Sequence, residues 1–487
     1  MKSKLRSRRQ FLGETACATL GSASIMSTLL NLKMANHAAA AGVSSLGNER
    51  KTLVCIFLHG GIDSFNVLVP RDASRYADYA ASRSNLALDD SSLFALDQNG
   101  GDGQLYGLHP GTAQIGELFN GMGGDTSQRR LSFISNVGTL VEPTTLTQFQ
   151  NETVSIPRAL FSHSDQIEQW QTSVPQGAEL LSGWAGRAAD VLHSTQNLDL
   201  TSMSISFSGN NFFQVGRETQ QFVMTPSGAL TLSTRNSNPQ HITQQKNTAV
   251  RSMVEQNYAN LMETAFAEST KNALASQEFV QQHFSSVPDD FVSTTFPNSG
   301  IGQQLSAALR MIHLREQLGL RRQTIFVNFE GWDHHGELLD TQDGMLRALA
   351  PALGAFQEAL CELGLEDSVI SFTASDFGRT LRSNGRGTDH AWGGNQMVFG
   401  GPVDGGQVKG TYPNLALDGP NDIGRGGRLL PSTSVDEFFG ELLLWFGVPA
   451  SDFSYVLPNL SNFYDPSTAN PADPSTLPIG FLKANTF

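Results

Sequence analysis

Cysteine is scarce, at three in 487 residues. Cys17 lies in the N-terminal segment discussed below, while Cys55 sits in an apolar strand-like run and Cys361 on a helix-like run, so the pair reads as two separate buried thiols rather than one disulfide. Positive charge is also short: 32 Lys and Arg stand against 46 Asp and Glu, a balance of −14. Such a surface lacks the potential that a general nucleic-acid binder turns toward phosphates, so nucleic acid is not an expected partner. No run is long and apolar enough for a membrane span. The best stretch, Ala16 to Leu32, is diluted by Ser, Thr and Gly, and no transmembrane anchor is expected. Also missing are a Gly-x-Ser-x-Gly elbow, a phosphate-loop motif, a dinucleotide fingerprint in the right context, and any internal repeat. What is present, 39% hydrophobic and 16% charged residues with 47 Gly and 20 Pro, suits a folded soluble protein and excludes a collagen, a coiled coil or a disordered chain. Length alone suggests roughly three units at about 150 residues each, or one large α/β domain with insertions.

Residues 1–40 read as an export signal rather than as fold. Ser7-Arg8-Arg9-Gln10-Phe11-Leu12 is a twin-arginine motif behind Lys2, Lys4 and Arg6, and Ala38-Ala39-Ala40 offers small residues to a signal peptidase. Glu14-Thr15-Ala16-Cys17 lacks the aliphatic start of a lipoprotein box, which disfavours lipid anchoring. The route implies the twin-arginine translocase as a partner during export and a periplasmic or otherwise exported destination. It carries proteins already folded, often with a cofactor in place. Without the signal the chain, 41–487, carries 26 basic and 45 acidic residues, a balance of −19.

Thr52 to Leu58 is apolar without alternation after Thr52 and ends in His59-Gly60-Gly61, the pattern of a parallel strand buried on both faces. Leu131–Ser135, Thr324–Phe329 and Val369–Thr373 are further strand candidates. Leu346, Leu349, Leu353, Phe356 and Leu360 recur at intervals of three and four and predict a crossover helix over Met345 to Leu363, completing a βαβ unit. Helices are also predicted over Gln245 to Phe284, Ile301 to Leu318 and Val435 to Phe446. The polar segment at about 210–240 reads as an insertion or cap, and 460–487 as a surface tail.

Ligands of parallel α/β sheets gather beyond the carboxyl ends of strands. After the first strand comes His59 to Asn66 with Asp63 and Ser64; after the third, Glu330 to His335 with Asp333, His334 and His335; after the fourth, Ala374 to Arg379 with Asp376. Asp389 and His390 follow closely. Carboxylates and imidazoles converging on one crevice need a cation or a hydrogen-bond network to join them, and oxygen and nitrogen donors without thiolates suit Zn, Mn, Mg or Ca. Asp63 also reads as a turn residue, His334 as a solvated neighbour, Thr112 as a helix N-cap, and Arg379 as either an anion clamp or an ion-pair partner. Phe161-Ser162-His163-Ser164-Asp165 is a further polar cluster whose place the sequence does not give.

On these motifs the sequence resembles a bacterial, twin-arginine-exported family known as domain of unknown function 1501. The resemblance rests on Phe57 through Pro70, Arg322 through His335, Phe372 through Thr380 and Asn384 through Gly394. That family is grouped by fold with alkaline phosphatases and sulfatases, which use divalent metals to transfer phosphoryl or sulfuryl groups. The resemblance implies an alkaline-phosphatase-like α/β fold, a three-layer sandwich around a mostly parallel sheet. It implies a divalent metal held by Asp63, Asp333, His335, Asp376 and His390, and an anionic ester substrate. Phe377 stands where the superfamily pattern has histidine, which depletes one metal position. Ser64 and Thr112 are the nucleophile candidates, and Arg379 the candidate for steadying the transferring group. A non-catalytic, metal-stabilised binding or assembly protein of the cell envelope is the alternative.

Overall fold

A computed structural model describes residues 49–177, 182–197, 201–229 and 241–486. The twin-arginine motif and the alanines at 38–40 lie outside the described residues, as do 230–240 of the expected cap. Arg50–Phe487 forms one compact unit.

Its centre is a ten-stranded sheet. Lys51–His59 lies between Val369–Ser375 and Arg322–Glu330 and pairs parallel with both. Eight of its nine residues are buried, as the unbroken apolar run requires. Ser204–Ser206 and then Phe222–Thr225 continue the sheet in parallel beyond Arg322–Glu330. Phe222–Thr225 falls within the segment expected as a cap, yet it extends the main sheet. On the other side Gly394–Gly400 runs antiparallel to both Val369–Ser375 and Leu131–Gly138. The sheet is thus mostly parallel, with two reversed strands, the short Gly228–Ala229 at the edge beside Phe222–Thr225 and the interior Gly394–Gly400, which the sequence pattern does not reveal. That strand, Gly-Asn-Gln-Met-Val-Phe-Gly, opens and closes on glycine and carries two amides, so its apolar signal is short.

Helices cover the sheet in two layers, which makes a mixed α/β sandwich. Ala113–Asn120 and Gly300–His313 both pack on Leu338–Glu362. In the second layer Trp184 of helix Trp184–Gln196 stacks on Phe439 of helix Val435–Phe446 at 4.4 Å, and Trp170 of His163–Thr172 meets the same ring edge-on. Val435–Phe446 has the bounds its periodicity predicts. The crossover helix starts at Leu338, seven residues before the expected Met345, because Asp340, Asp343 and Gly344 mask its first two turns. The region Gln245 to Phe284 holds two helices, Ile242–Val254 and Leu261–Ser286, and the Asn260 side chain caps the second by accepting from Met262 and Glu263. Gly300–His313 is shorter than expected, and Leu314 to Leu318 form turns. Cys55 and Cys361 are free thiols. Among the described residues no helix is long and apolar enough to cross a membrane.

The expected surface tail is partly core. Phe481 and Leu482 are fully buried. The carboxylate of Glu441, itself buried in Val435–Phe446, accepts four backbone N–H groups from Ile479, Gly480, Phe481 and Leu482 at 2.6–3.0 Å. Apolar residues at 477, 481 and 482 fill the core while one carboxylate satisfies the backbone that must follow them inward. Glu441→Gln turns an amide donor toward two of those N–H groups. It should cost about 3 kcal/mol, since hydrogen bonds to charged groups contribute about 1.5–3 kcal/mol each. The denaturant midpoint measures it, and limited proteolysis should cut first near 479–482.

Candidate metal centre

The register sets the site. Leu58 pairs with Ser375 on one side and Phe329 on the other, so three strands end together and their loops emerge side by side. Gly60 turns at φ 120°, and a Cβ there would come within 2.6 Å of the Asp333 nitrogen, so the first two loops touch through a position open only to glycine. The Gly60 N–H donates to Asp376 Oδ1 at 2.9 Å, which ties in the third.

Arg379 locks these loops together. Its buried guanidinium donates to the carbonyls of Gly61, Thr388, Gly60 and Trp332 at 2.7–3.3 Å and pairs with Asp333. These acceptors occupy the fork that the sequence analysis offered to a substrate anion. Burial acts to raise the Asp333 carboxyl, but the hydrogen bond and charge of Arg379, with His335 and His163 beside it, outweigh burial and hold it below the usual carboxylate range.

Three imidazoles meet at Asp333. His335 Nε2 lies 3.1 Å and His390 Nε2 3.4 Å from Asp333 Oδ1, and His163 Nε2 lies 3.5 Å from Oδ2. Ligand atoms of His163, Asp333 and His390 all fall within 4.8 Å of one another. Each ring turns its other nitrogen outward to an oxygen. His163 Nδ1 is 2.7 Å from Asp376 Oδ2, His390 Nδ1 is 2.8 Å from the Phe161 carbonyl, and His335 Nδ1 is 3.3 Å from Asp389 Oδ1. A carbonyl or carboxylate only accepts, so these contacts put the ring protons on Nδ1 and leave lone pairs on Nε2. His335 Nε2 and His390 Nε2 then face each other at 2.8 Å with no proton between them. That confrontation calls for a cation or an added proton. The hydrogen bond to Asp376 raises the pKa of His163, whereas burial lowers that of His390. Phe377 packs against both rings, with centroids 4.7 and 4.6 Å away, so its side chain is a wall of the site.

The expected residues separate into those at the centre and those elsewhere. Asp333, His335 and His390 converge. Asp376 stands one layer out, with one oxygen on His163 and the other on Gly60. Asp63 is buried in an ion pair with Arg83, far enough around its turn that its carboxylate contacts none of the three imidazoles among the described residues. The Ser64 hydroxyl accepts from the Asn395 N–H at 2.8 Å, and Thr112, which precedes helix Ala113–Asn120, donates to the His109 carbonyl at 2.6 Å. Neither hydroxyl bonds to a group of the centre among the described residues. His334 is buried, not solvated. His163 follows no strand, which is why the strand-end rule passed over it; its signal was the polar cluster Ser162 to Asp165 opening helix His163–Thr172.

Residues 50–423 match the family described as "Protein of unknown function (DUF1501)". The chain belongs to that family. No functionally curated relative matches this DUF1501 chain in sequence. Among solved structures it is similar to Ps i-CgsB in complex with k-i-k-neocarrahexaose, at 11% identity over 86% of this chain and 78% of that one, with a TM-score of 0.31. It is also similar to the C-terminal periplasmic domain of EcEptC from Escherichia coli in complex with Zn, at 10% identity, 81% and 82% coverage and a TM-score of 0.32. The PsFucS1 sulfatase from Pseudoalteromonas sp. shows 9% identity, 85% and 71% coverage and a TM-score of 0.33. Likenesses this distant carry no chemistry across to the DUF1501 chain.

Breaking one side of a buried ion pair costs about 3–5 kcal/mol. Asp63→Asn should therefore lower the denaturation midpoint of the DUF1501 protein by that order while metal content, measured by elemental analysis, stays as in the wild type.

Proposed function

We propose that this is an exported, metal-dependent hydrolase of phosphate or sulfate esters whose centre is Asp333, His163, His335 and His390. The observation that supports it most is the set of three outward-anchored imidazoles whose lone pairs face one carboxylate. The donors fit a divalent ion: three neutral nitrogens and one oxygen, without thiolate, suit zinc or manganese. Asp376, Asp389 and the Phe161 carbonyl act as the outer shell that orients the rings. His163, His335, His390 and Asp333 would hold the ion, and its chemistry there would be that of a Lewis acid toward an ester oxygen or water. Arg379 keeps Asp333 ionised and in place, a positioning role rather than an anion clamp. Because Ser64 and Thr112 are engaged elsewhere, we assign the attack to water, with no covalent intermediate on this chain. Export through the twin-arginine route agrees with the motif at Arg8-Arg9 and with a protein that acquires its metal while folded.

The engagement of both hydroxyls also favours a second reading, a metal-stabilised binding or assembly protein of the cell envelope that does no hydrolysis. Elemental analysis and ester turnover separate the two. The wild type should carry stoichiometric metal, and Asp333→Asn, His163→Ala and His390→Ala should each lose it while remaining folded. Acidification should release it, because protons compete for the same imidazole lone pairs. Hydrolysis of aryl phosphate or aryl sulfate that falls at least a hundredfold in these variants supports the enzyme; bound metal without turnover supports the binding protein. Absence of metal from the wild type overturns both.

A further inference from the structure

In a chain of net charge −14, three arginines beside the histidine centre have no carboxylate partner. Arg382, Arg425 and Arg428 make no side-chain hydrogen bond or ion pair among the described residues. They sit on two loops joined by backbone hydrogen bonds, Leu381 N–H to the Gly427 carbonyl at 3.1 Å and Arg382 N–H to the Gly426 carbonyl at 2.9 Å. The first of these loops continues into Asp389 and His390. The Arg382 stem lies against Gly426. Arg425 is held at φ 57°, in the left-handed region that a non-glycine residue adopts at a cost, between Gly424 and Gly426, which also have positive φ. Tight loops that hold cationic side chains without counter-charges repel one another, and such an arrangement points to an anion that arrives from outside.

Arg428 is the best placed. Its guanidinium lies over the Phe161 ring, 3.9 Å from the centroid, and the Phe161 carbonyl is the group that anchors His390. It is half-buried, and its Nε is shielded from water without a partner. Asp389, a carboxylate whose charge acts on it, is turned to His335. The aromatic stack removes freedom from the side chain and leaves its planar fork to bind an oxyanion through two parallel hydrogen bonds. Arg428 contacts the ring of Phe161 and His390 its carbonyl, so the fork lies across that residue from the imidazole.

We propose that Arg428, supported by Arg425 and Arg382, forms an anion subsite at the mouth of the histidine centre, so that the substrate is a polyanion carrying a further sulfate or phosphate beside the ester attacked. The substrate part of this inference rests on the hydrolase reading above, whereas the anion site stands on its own residues. The acidic remainder of the chain would repel such a polymer everywhere else, which restricts its approach to this rim.

The test titrates the purified, metal-loaded protein with dextran sulfate, phosphorylated dextran and plain dextran, read by calorimetry. The wild type should bind one of the charged dextrans at least tenfold more tightly than plain dextran, and the tighter of the two identifies the anion. Arg428→Ala and Arg425→Ala should each weaken that binding about tenfold with metal content unchanged. Arg428→Lys should recover only part of it, because an ammonium lacks the fork. Arg251→Ala, which removes the same charge from the distant helix Ile242–Val254, should change it by less than twofold. Equal loss in Arg251→Ala and Arg428→Ala, or no preference for charged dextran, overturns the subsite. Failure of the hydrolase reading looks different: metal or ester turnover is absent while charged-dextran binding still depends on Arg428.

Discussion

Burying a guanidinium costs several kcal/mol unless its donors are matched, and the fold of this protein around its site is the matching of Arg379. Four carbonyls and one carboxylate, drawn from the loops after two parallel strands and from the segment before His390, close on that one side chain, which the loop after the third strand supplies. These loops have little regular structure of their own, a 3-10 turn at Ser64–Asn66 and a single bridge between Arg379 and His390. Their positions follow from strands that end in register and from a cation that no loop can abandon without orphaning a donor. Asp333 inherits its place and its charge from the same contact.

The centre is organised from the outside inward. Asp376 is spent twice, on Gly60 and on His163, and so converts backbone register into ring orientation. The Phe161 carbonyl does the same for His390, and the ring of that residue carries Arg428 on its other surface. One aromatic residue thereby connects the histidine centre to the rim that carries Arg428. Phe377 seals the space between His163 and His390, and a dry wall there strengthens electrostatic interactions within the centre.

Much of this was legible beforehand. Four apolar runs became sheet strands, the helix over Val435–Phe446 kept its bounds, and the strand-end rule found Asp333, His335, Asp376, His390 and Arg379. Local patterns carry such information because burial on both faces and a 3.6-residue period leave their mark on neighbouring residues. The strand Gly394–Gly400 escaped because its amides and glycines resemble a loop, and the tail was misjudged because one distant carboxylate, Glu441, makes its burial affordable.

Residue type and order alone determined that the chain is a mostly parallel α/β protein and that several polar residues, Asp333, His335 and Asp376 among them, follow its strands. Tertiary structure alone decided which of them meet. Asp63 has the same strand-end position as Asp333 but turns to Arg83, while His163, which begins a helix far from any strand end, swings in to face Asp333. No periodicity separates these cases. Whether a carboxylate faces a guanidinium or an imidazole depends on what other segments bring within about 4 Å of it, and at that range the pairing of charges and lone pairs, not the local sequence, sets the role of each group.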